Sequence, residues 1–359
     1  MKVGILGQPS SGKTTVFNLL TGAPADAAHA HPGKRGANLG AVKVPDERLD
    51  RIAALYHSKK SVQAEITFVD LVGLPAAADR SRERAEDLLP HLRDADALAV
   101  VLRDFESELA PAPGGRVDPA ADLAEIGADL ILSDLAVVEK RLHILEKEKR
   151  SGDHAKMHEW DVLGKVRACL ESERRIVSLP LDAEEKRLLA GYGFLTMKGI
   201  LAVRNFGEGK PGEASAELAE RASAAGAALL SLNALLEEEV RELPEEERAS
   251  FYESYGIEGH GRRRFIAGAY RALDLITFFT ANQNEARAWP IPRGTTALHA
   301  AGKVHTDMER GFIRAEVAPY GVLVEHGGEK HAREKGKLRL EGKEYVVQDG
   351  DVMLIRFSV

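Results

Sequence analysis

The sequence predicts an α/β fold, in which a parallel sheet is interrupted by an inserted antiparallel α-helical hairpin and followed by a compact mixed-β module. Three observations predict it. Short apolar runs alternate with helical stretches from residue 2 to about residue 232, the pattern of a parallel sheet covered by helices. Ile131, Leu135, Val138, Leu142 and Leu145 are spaced 4, 3, 4 and 3 residues apart, a heptad seam that suits paired helices and not a strand. From Leu275 onward the texture changes to short β-rich segments separated by turn residues.

Residues 2–6 form a short apolar run ending at Gly7, which reads as a buried strand. Ser11 to Leu20 reads as a helix closed by Gly22. Residues 23–40 are rich in Ala, Gly, Pro and His without a period and read as a loop. Ile66–Val69, Leu98–Leu102, Ile200–Val203 and Leu229–Ser231 read as four further strands. Between about 122 and 190 the sheet pattern stops. The heptad seam runs to Leu145, is broken by Arg150-Ser-Gly-Asp153 and resumes at Leu163, Val166 and Leu170, giving two short arms. An acidic stretch from Glu237 to Glu247 precedes a helical region over roughly 248–273. Ile276–Phe279, Gly311–Val317, Lys343–Val347 and Val352–Phe357 then read as strands, with a tight turn at Asp349-Gly350-Asp351. The expected division is 1–121 with 191–274 as the α/β domain, 122–190 as the hairpin and 275–359 as the β module.

A chain of 359 residues is too long for one ordinary core. No run of eighteen apolar residues occurs, so no membrane partner is expected. Met1 leads straight into the first strand and not into a cleavable signal segment. Cys169 is the one cysteine, which excludes an intramolecular disulfide and an all-cysteine metal cage. These features predict a cytoplasmic protein. The net charge of −7 argues against a chain that coats nucleic acid, and DNA is not an expected partner. Charge is uneven, however: residues 262–359 hold 16 Lys and Arg against 12 Asp and Glu, or +4, and the remainder is −11. A basic carboxy-terminal module could contact RNA locally, and scattered surface charge explains the asymmetry equally well.

Gly7-Gln8-Pro9-Ser10-Ser11-Gly12-Lys13-Thr14 fits G-x-x-x-x-G-K-[ST] between a strand and a helix, with Thr15 in the same first turn. Glycines let the backbone wrap a phosphate, and loop N–H groups and the helix amino terminus point at it. Lys13 would reach the β and γ phosphates, and the Thr14 hydroxyl would be a ligand of Mg²⁺. Asp70-Leu-Val-Gly73 has the D-x-x-G form of a switch, in which Asp70 holds Mg²⁺ through water and the Gly73 N–H meets the γ phosphate. After the fourth strand, Asn205-Phe206-Gly-Glu208 stands where many GTPases carry N-K-x-D. Glu208 is one methylene longer than the guanine-reading Asp, and Phe206 replaces the lysine, which favours ATP over GTP without excluding GTP. Ser231-Leu232-Asn233 would form the last loop at the base edge. Arg262-Arg-Arg264 reads as a solvated face, and Trp160 and the hairpin leucines read as packing. The twelve histidines lack metal-ligand spacing, so Mg²⁺ is the one metal expected.

This order of parts resembles the YchF / Obg-like ATPase family, in the translation-factor-related branch of P-loop GTPases. Val117-Asp-Pro119, Val138-Glu-Lys-Arg-Leu142 and Ser151-Gly-Asp153 look like that family's hairpin. Leu275-Ile-Thr-Phe-Phe-Thr280, Arg287-Ala-Trp289, His305-Thr-Asp307, Gly311-Phe-Ile-Arg-Ala-Glu316 and Val346-Val-Gln-Asp-Gly-Asp-Val-Met353 look like its terminal TGS domain, a β-grasp fold. The resemblance implies a G-type P-loop NTPase domain, binding of ATP at least as well as GTP, and association with the ribosome or ribosomal RNA. It also implies slow turnover, because Leu74 stands where Ras-like proteins carry a water-orienting Gln. Three features depart from the family: Ser10 replaces an Asn that would help hold a monovalent cation, and Lys34 takes the first-switch Thr position counted back from Ala37-Asn-Leu-Gly40. The third is Ala76-Ala-Ala-Asp-Arg-Ser-Arg-Glu-Arg84 in place of a glycine-rich second switch. No residue is assigned a catalytic role. The rival expectation is a nucleotide-binding scaffold that scarcely hydrolyses. A small-molecule kinase would account for the P-loop but not for D-x-x-G followed by N-x-x-E.

Overall fold

Val3, Ile5 and Leu6 are buried in β1 (Lys2–Leu6), a strand inside a six-stranded sheet. The computed structural model describes residues 1–22, 37–71, 90–148, 154–207, 212–254 and 260–358. They form two compact units, Met1–Gly40 with Thr67–Ala272, and Ala41–Ile66 with Leu273–Val359. Among the described residues, no helix is long and apolar enough to cross a membrane.

In the first unit, β1 leads into α1 (Lys13–Thr21), and the sheet is completed by β2 (Ala37–Val44), β4 (Ala64–Leu71), β5 (Ala97–Asp104), β6 (Gly199–Phe206) and β7 (Ala228–Leu232). The strand order is β2-β4-β1-β5-β6-β7, and β4, β1, β5, β6 and β7 are mutually parallel along that order. Parallel strands bring their carboxy ends to one edge, where α/β proteins bind ligands. Gly7, Asp70, Phe105, Gly207 and Asn233 all follow or end strands there.

The hairpin seam belongs to one long helix with two jobs. In α3 (Pro119–Glu148), Ala120, Leu123, Ile126 and Leu130 pack on Leu98, Val100 and Leu102 of the sheet. Its second half turns Val138, Leu142 and Leu145 toward Val162, Leu163, Val166 and Leu170 of α4 (His154–Glu171). Complete burial of each such side chain contributes about 1.5–3 kcal/mol. The helix therefore begins before the expected boundary at 122, because its amino-terminal half is core of the α/β unit. Asp134, fully buried, marks the changeover. It accepts bonds from Leu195 N (3.0 Å), Thr196 N (2.7 Å), Thr196 Oγ1 (2.8 Å) and Arg93 Nη1 (3.1 Å). Between the helices, Arg141 pairs with Glu159 through two bonds of 2.8 Å, and Tyr192 also donates to Glu159.

The unit is completed by α5 (Ala183–Ala190), α6 (Ala216–Ala224), α7 (Ala234–Glu242), α8 (Glu245–Ser254) and α9 (Gly261–Ala272). The helical region expected over 248–273 is thus two helices, α8 and α9. Residues 37–40, expected in a loop, open strand β2. It lies at the sheet edge with Asn38 exposed and Leu39 67% exposed, so it carries no apolar period to read.

The second unit holds a mixed sheet of β3 (Ser61–Val62), β8 (Leu275–Ala281), β9 (Ala286–Pro292), β10 (Phe312–Pro319), β11 (Arg339–Glu341) and β12 (Asp351–Phe357). Its order is β11-β10-β12-β8-β9-β3, with β12 and β8 parallel between antiparallel pairs. Ala297, Ala300 and Ala301 of α10 (Ala297–Val304) pack on Ile276, Phe278, Val317 and Ile355, so one helix is gripped by the sheet.

Two readings of this region change. The segment 343–347 is not a strand: Tyr345 N closes a turn on Gly342 O at 3.2 Å, and Val346 makes one isolated bridge to Thr296. Conversely, Pro290 and Pro292 conceal β9, since proline cannot donate to a ladder. Here β3 pairs with β9 at Ala286 and Arg287, leaving the prolines farther along that side. Residues 41–66, expected in the α/β domain, also pack in this unit. The helix α2 (Glu47–Leu55) buries Leu49 and Ile52 completely against a cluster containing Phe279, Ala286 and Ala288. Their i, i+3 spacing announces a buried helical face but not its partner.

Candidate functional site

The loop between β1 and α1 depends on backbone conformations that exclude most side chains. Gly12 has φ +89, and a Cβ there would lie 2.3 Å from Asn205 Nδ2. At Gly7 a Cβ would lie 2.3 Å from Val101 O. Ser10 adopts φ +57 without being glycine, a left-handed conformation that costs an L-residue about 1–2 kcal/mol. Gly12 is the N-cap of α1 and offers no side chain to the first-turn N–H groups. Those donors and the positive end of the helix face the cavity lined by Ser10 to Thr15.

Lys13 folds back over this loop, donating to Gly7 O at 3.0 Å and Gln8 O at 2.8 Å. Burial lowers its pKa to about 8, while the charge of Asp70 opposes the shift. A cation held on neutral carbonyls is ready to exchange them for an anion, a stronger partner. Thr14 Oγ1 donates to Asp70 Oδ2 at 3.2 Å across the ends of β1 and β4. Asp70 is fully buried, and among the described residues its Oδ1 has no hydrogen-bond partner. Burial raises the Asp70 pKa, against the opposing pull of Thr14, Lys13 and Asn38. The Ser11 hydroxyl is likewise buried without a partner among the described residues.

The far end of α1 is held by two arginines. Arg262 Nε donates to Leu20 O at 2.9 Å and Arg241 Nη1 to Asn18 O at 3.4 Å, and Gly22 N also bonds Asn18 O at 2.8 Å. Arg262, read from the sequence as part of a solvated face, therefore also caps the carbonyl end of the loop helix, where positive charge is favourable.

A cavity of about 780 Å³ extends from the loop to the ends of β5, β6 and β7, a volume in the range of small-molecule sites. Asn205, Phe206 and Asn233 line it. Both asparagine side chains also belong to the frame. Asn205 Nδ2 donates to Ser11 O at 3.0 Å while its Oδ1 accepts from Ala234 N at 3.0 Å. Asn233 caps α7, accepting from Leu236 N at 3.1 Å. Phe206 is buried, with the Arg204 guanidinium 5.2 Å from its ring centroid. Ser231 and Leu232 lie in β7 behind Asn233 and are not among the lining residues; Gln8 and Pro9 shape the loop without lining the cavity. Gly73, Leu74, Glu208 and Lys34 lie outside the described residues.

Sequence reasoning missed the wall contributed by Phe105, Ala110, Leu235 and Leu236. The signal was topological. Phe105 follows the carboxy end of β5 just as Asp70 lies near that of β4, but no motif marks it. Among the described residues no group of three or more His, Cys, Asp or Glu could hold a metal. A cation here would take its ligands from a hydroxyl, one carboxylate and the bound anion.

The family model YchF-GTPase_C, described as a protein of unknown function (DUF933), matches residues 275–358. The model MMR_HSR1, described as a 50S ribosome-binding GTPase, matches residues 2–146. The chain is 39% identical over 360 residues to the "Ribosome-binding ATPase YchF" of Haemophilus ducreyi, covering 100% of this chain and 99% of the relative. To the protein of the same name in Bacillus subtilis it is 38% identical over 364 residues, covering 100% of both. The solved Schizosaccharomyces pombe YchF GTPase matches with a TM-score of 0.84 at 30% identity, over 99% of this chain and 97% of that one.

Proposed function

The chain belongs to the YchF family, and on that premise we propose that it is a nucleotide-dependent switch protein that binds ATP, hydrolyses it slowly and associates with the ribosome. The observation that carries the reading is the single cavity bounded by the Lys13 loop at one end and by Phe206 and Asn233 at the other. Lys13 and the first-turn N–H groups of α1 bind and orient the phosphates. Phe206 offers an apolar contact that accepts either purine, and Glu208 is the base-reading carboxylate, set to favour ATP over GTP. The names of the relatives support a ribosome partner, with the hairpin and the terminal unit as the surfaces presented to it. A ribosome partner supports a cytoplasmic location.

Mg²⁺ is the cofactor of this reading. The Thr14 hydroxyl and Asp70 suit it, because both offer oxygen ligands and Asp70 Oδ1 is buried with no hydrogen-bond partner among the described residues. When bound, the ion neutralises charge on the phosphate oxygens. Thr14 and Asp70 would hold it, Lys13 adds a second positive charge, and a leucine such as Leu74 has no group to hydrogen-bond an attacking water. Turnover without a partner is therefore well below one per second, beneath the usual range of about 1–10³ per second. Single-turnover hydrolysis of ATP tests this. Several turnovers per second would show a catalytic group beyond those named, and no turnover over hours would favour the scaffold reading.

A further inference from the structure

Arg103, near the end of β5, is 2% exposed, and its guanidinium rests on carbonyl oxygens. Nη1 donates to Ser10 O at 2.8 Å, Nε to Phe105 O at 3.0 Å and Nη2 to Ala110 O at 2.7 Å. Burial lowers its pKa, and the charge of Asp122 opposes the shift. A cation buried on neutral acceptors carries a desolvation cost that an apolar side chain of similar shape avoids. Filling space does not account for it.

The three carbonyls belong to two chain segments that line one cavity. Ser10 lies in the phosphate loop at φ +57. In a trans peptide the carbonyl and the following N–H point in opposite directions. Drawing Ser10 O toward Arg103 therefore sends the Ser11 N–H the other way, where it meets Gln8 O at a long 3.3 Å. Phe105 and Ala110 line the same cavity, and the guanidinium lies 4.3 Å from the centroid of the Phe105 ring.

We propose that Arg103 is a positioning residue for the nucleotide, locking the left-handed Ser10 carbonyl and the Phe105–Ala110 wall into one frame. The phosphate loop and the Phe105–Ala110 wall of the cavity are then shaped together. This rests on the cavity being the nucleotide site.

The test is a titration of the full-length chain with a fluorescent ATP analogue, alongside melting temperatures. Arg103→Met weakens affinity about tenfold, and Arg103→Lys, which cannot span three carbonyls, falls between it and the parent. Ser10→Gly placed in the Arg103→Met background removes the left-handed cost and recovers about threefold in affinity or more, although the melting temperature stays low. Recovery of affinity without recovery of stability is what a purely structural bolt would not give. If Arg103→Met does not fold, Arg103→Lys with and without Ser10→Gly carries the same comparison. Affinity within about twofold of the parent for the Arg103 variants, or no recovery on adding Ser10→Gly, overturns the proposal. Lys13→Ala in the same series separates the two readings. Should it bind normally, the cavity is not the nucleotide site and both readings fall; should it lose binding while the Arg103 variants keep theirs, this proposal alone falls.

Discussion

Asn205 leaves no space for a side chain at Gly12: its Nδ2 occupies a point 2.3 Å from where a Cβ would stand. The same nitrogen donates to Ser11 O at 3.0 Å, so the end of β6 braces the phosphate loop directly. Gly12→Ala combines this clash with a backbone at φ +89. We expect a loss of about 1–3 kcal/mol in stability and at least a tenfold loss in nucleotide affinity, measured by thermal unfolding and by titration.

Asn205 itself joins two loops, and its removal should act on both. Asn205→Ala leaves Ala234 N, at the start of α7, without its buried acceptor. The expected cost is about 1–3 kcal/mol. Saturating ATP should raise the melting temperature of this variant less than that of the parent, because ligand stabilisation scales with affinity.

Asp134→Ala should be more damaging than any single change in the hairpin seam. It strands the Leu195 and Thr196 N–H groups and the Arg93 guanidinium in a buried place. Removing one partner of a buried charged network costs about 3–5 kcal/mol. Denaturant unfolding would read this directly, and a loss below about 1 kcal/mol would show that water replaces the carboxylate.

Much of this architecture was legible because it depends on local patterns. The strands β1, β5 and β6, the P-loop and the seam from Val138 to Leu145 each announce themselves within a few residues. What was illegible depends on distant partners. The spacing of Leu49 and Ile52 reveals a helix face, but not that Phe279 covers it. Phe105 and Arg103 become part of the site only because β5 lies beside β1 in the sheet. Asn205 and Asn233 were legible as motif positions, and their frame bonds to Ser11 and Leu236 were not.

The packing of 41–66 with the carboxy-terminal strands changes what truncation would do. A chain ending at Asp274 loses Phe279, Ala286 and Ala288, which cover Leu49 and Ile52. We expect it to bind an apolar dye and to aggregate, so its failure to pellet with ribosomes would not by itself locate a contact. Charge reversal at exposed Arg314 in the full chain is the cleaner probe, with weaker co-sedimentation expected if that unit meets RNA.

Base preference should turn on Glu208. Competition calorimetry should show ATP binding at least as tightly as GTP, and Glu208→Asp should raise relative GTP affinity by restoring the shorter carboxylate. GTP tighter by tenfold or more, about 1.4 kcal/mol, would contradict the assignment of Asn205-Phe-Gly-Glu208 to the base.

The most direct test of the central claim is an equilibrium titration of the chain and its Lys13→Ala variant with a fluorescent ATP analogue in the presence of Mg²⁺. Lys13 lines the cavity while donating to Gly7 O and Gln8 O, and a charge-assisted contact to a phosphate there is worth about 1.5–3 kcal/mol. One saturable site is expected in the parent and at least tenfold weaker binding in the variant, with the fold retained. Equal affinity in both proteins would contradict it.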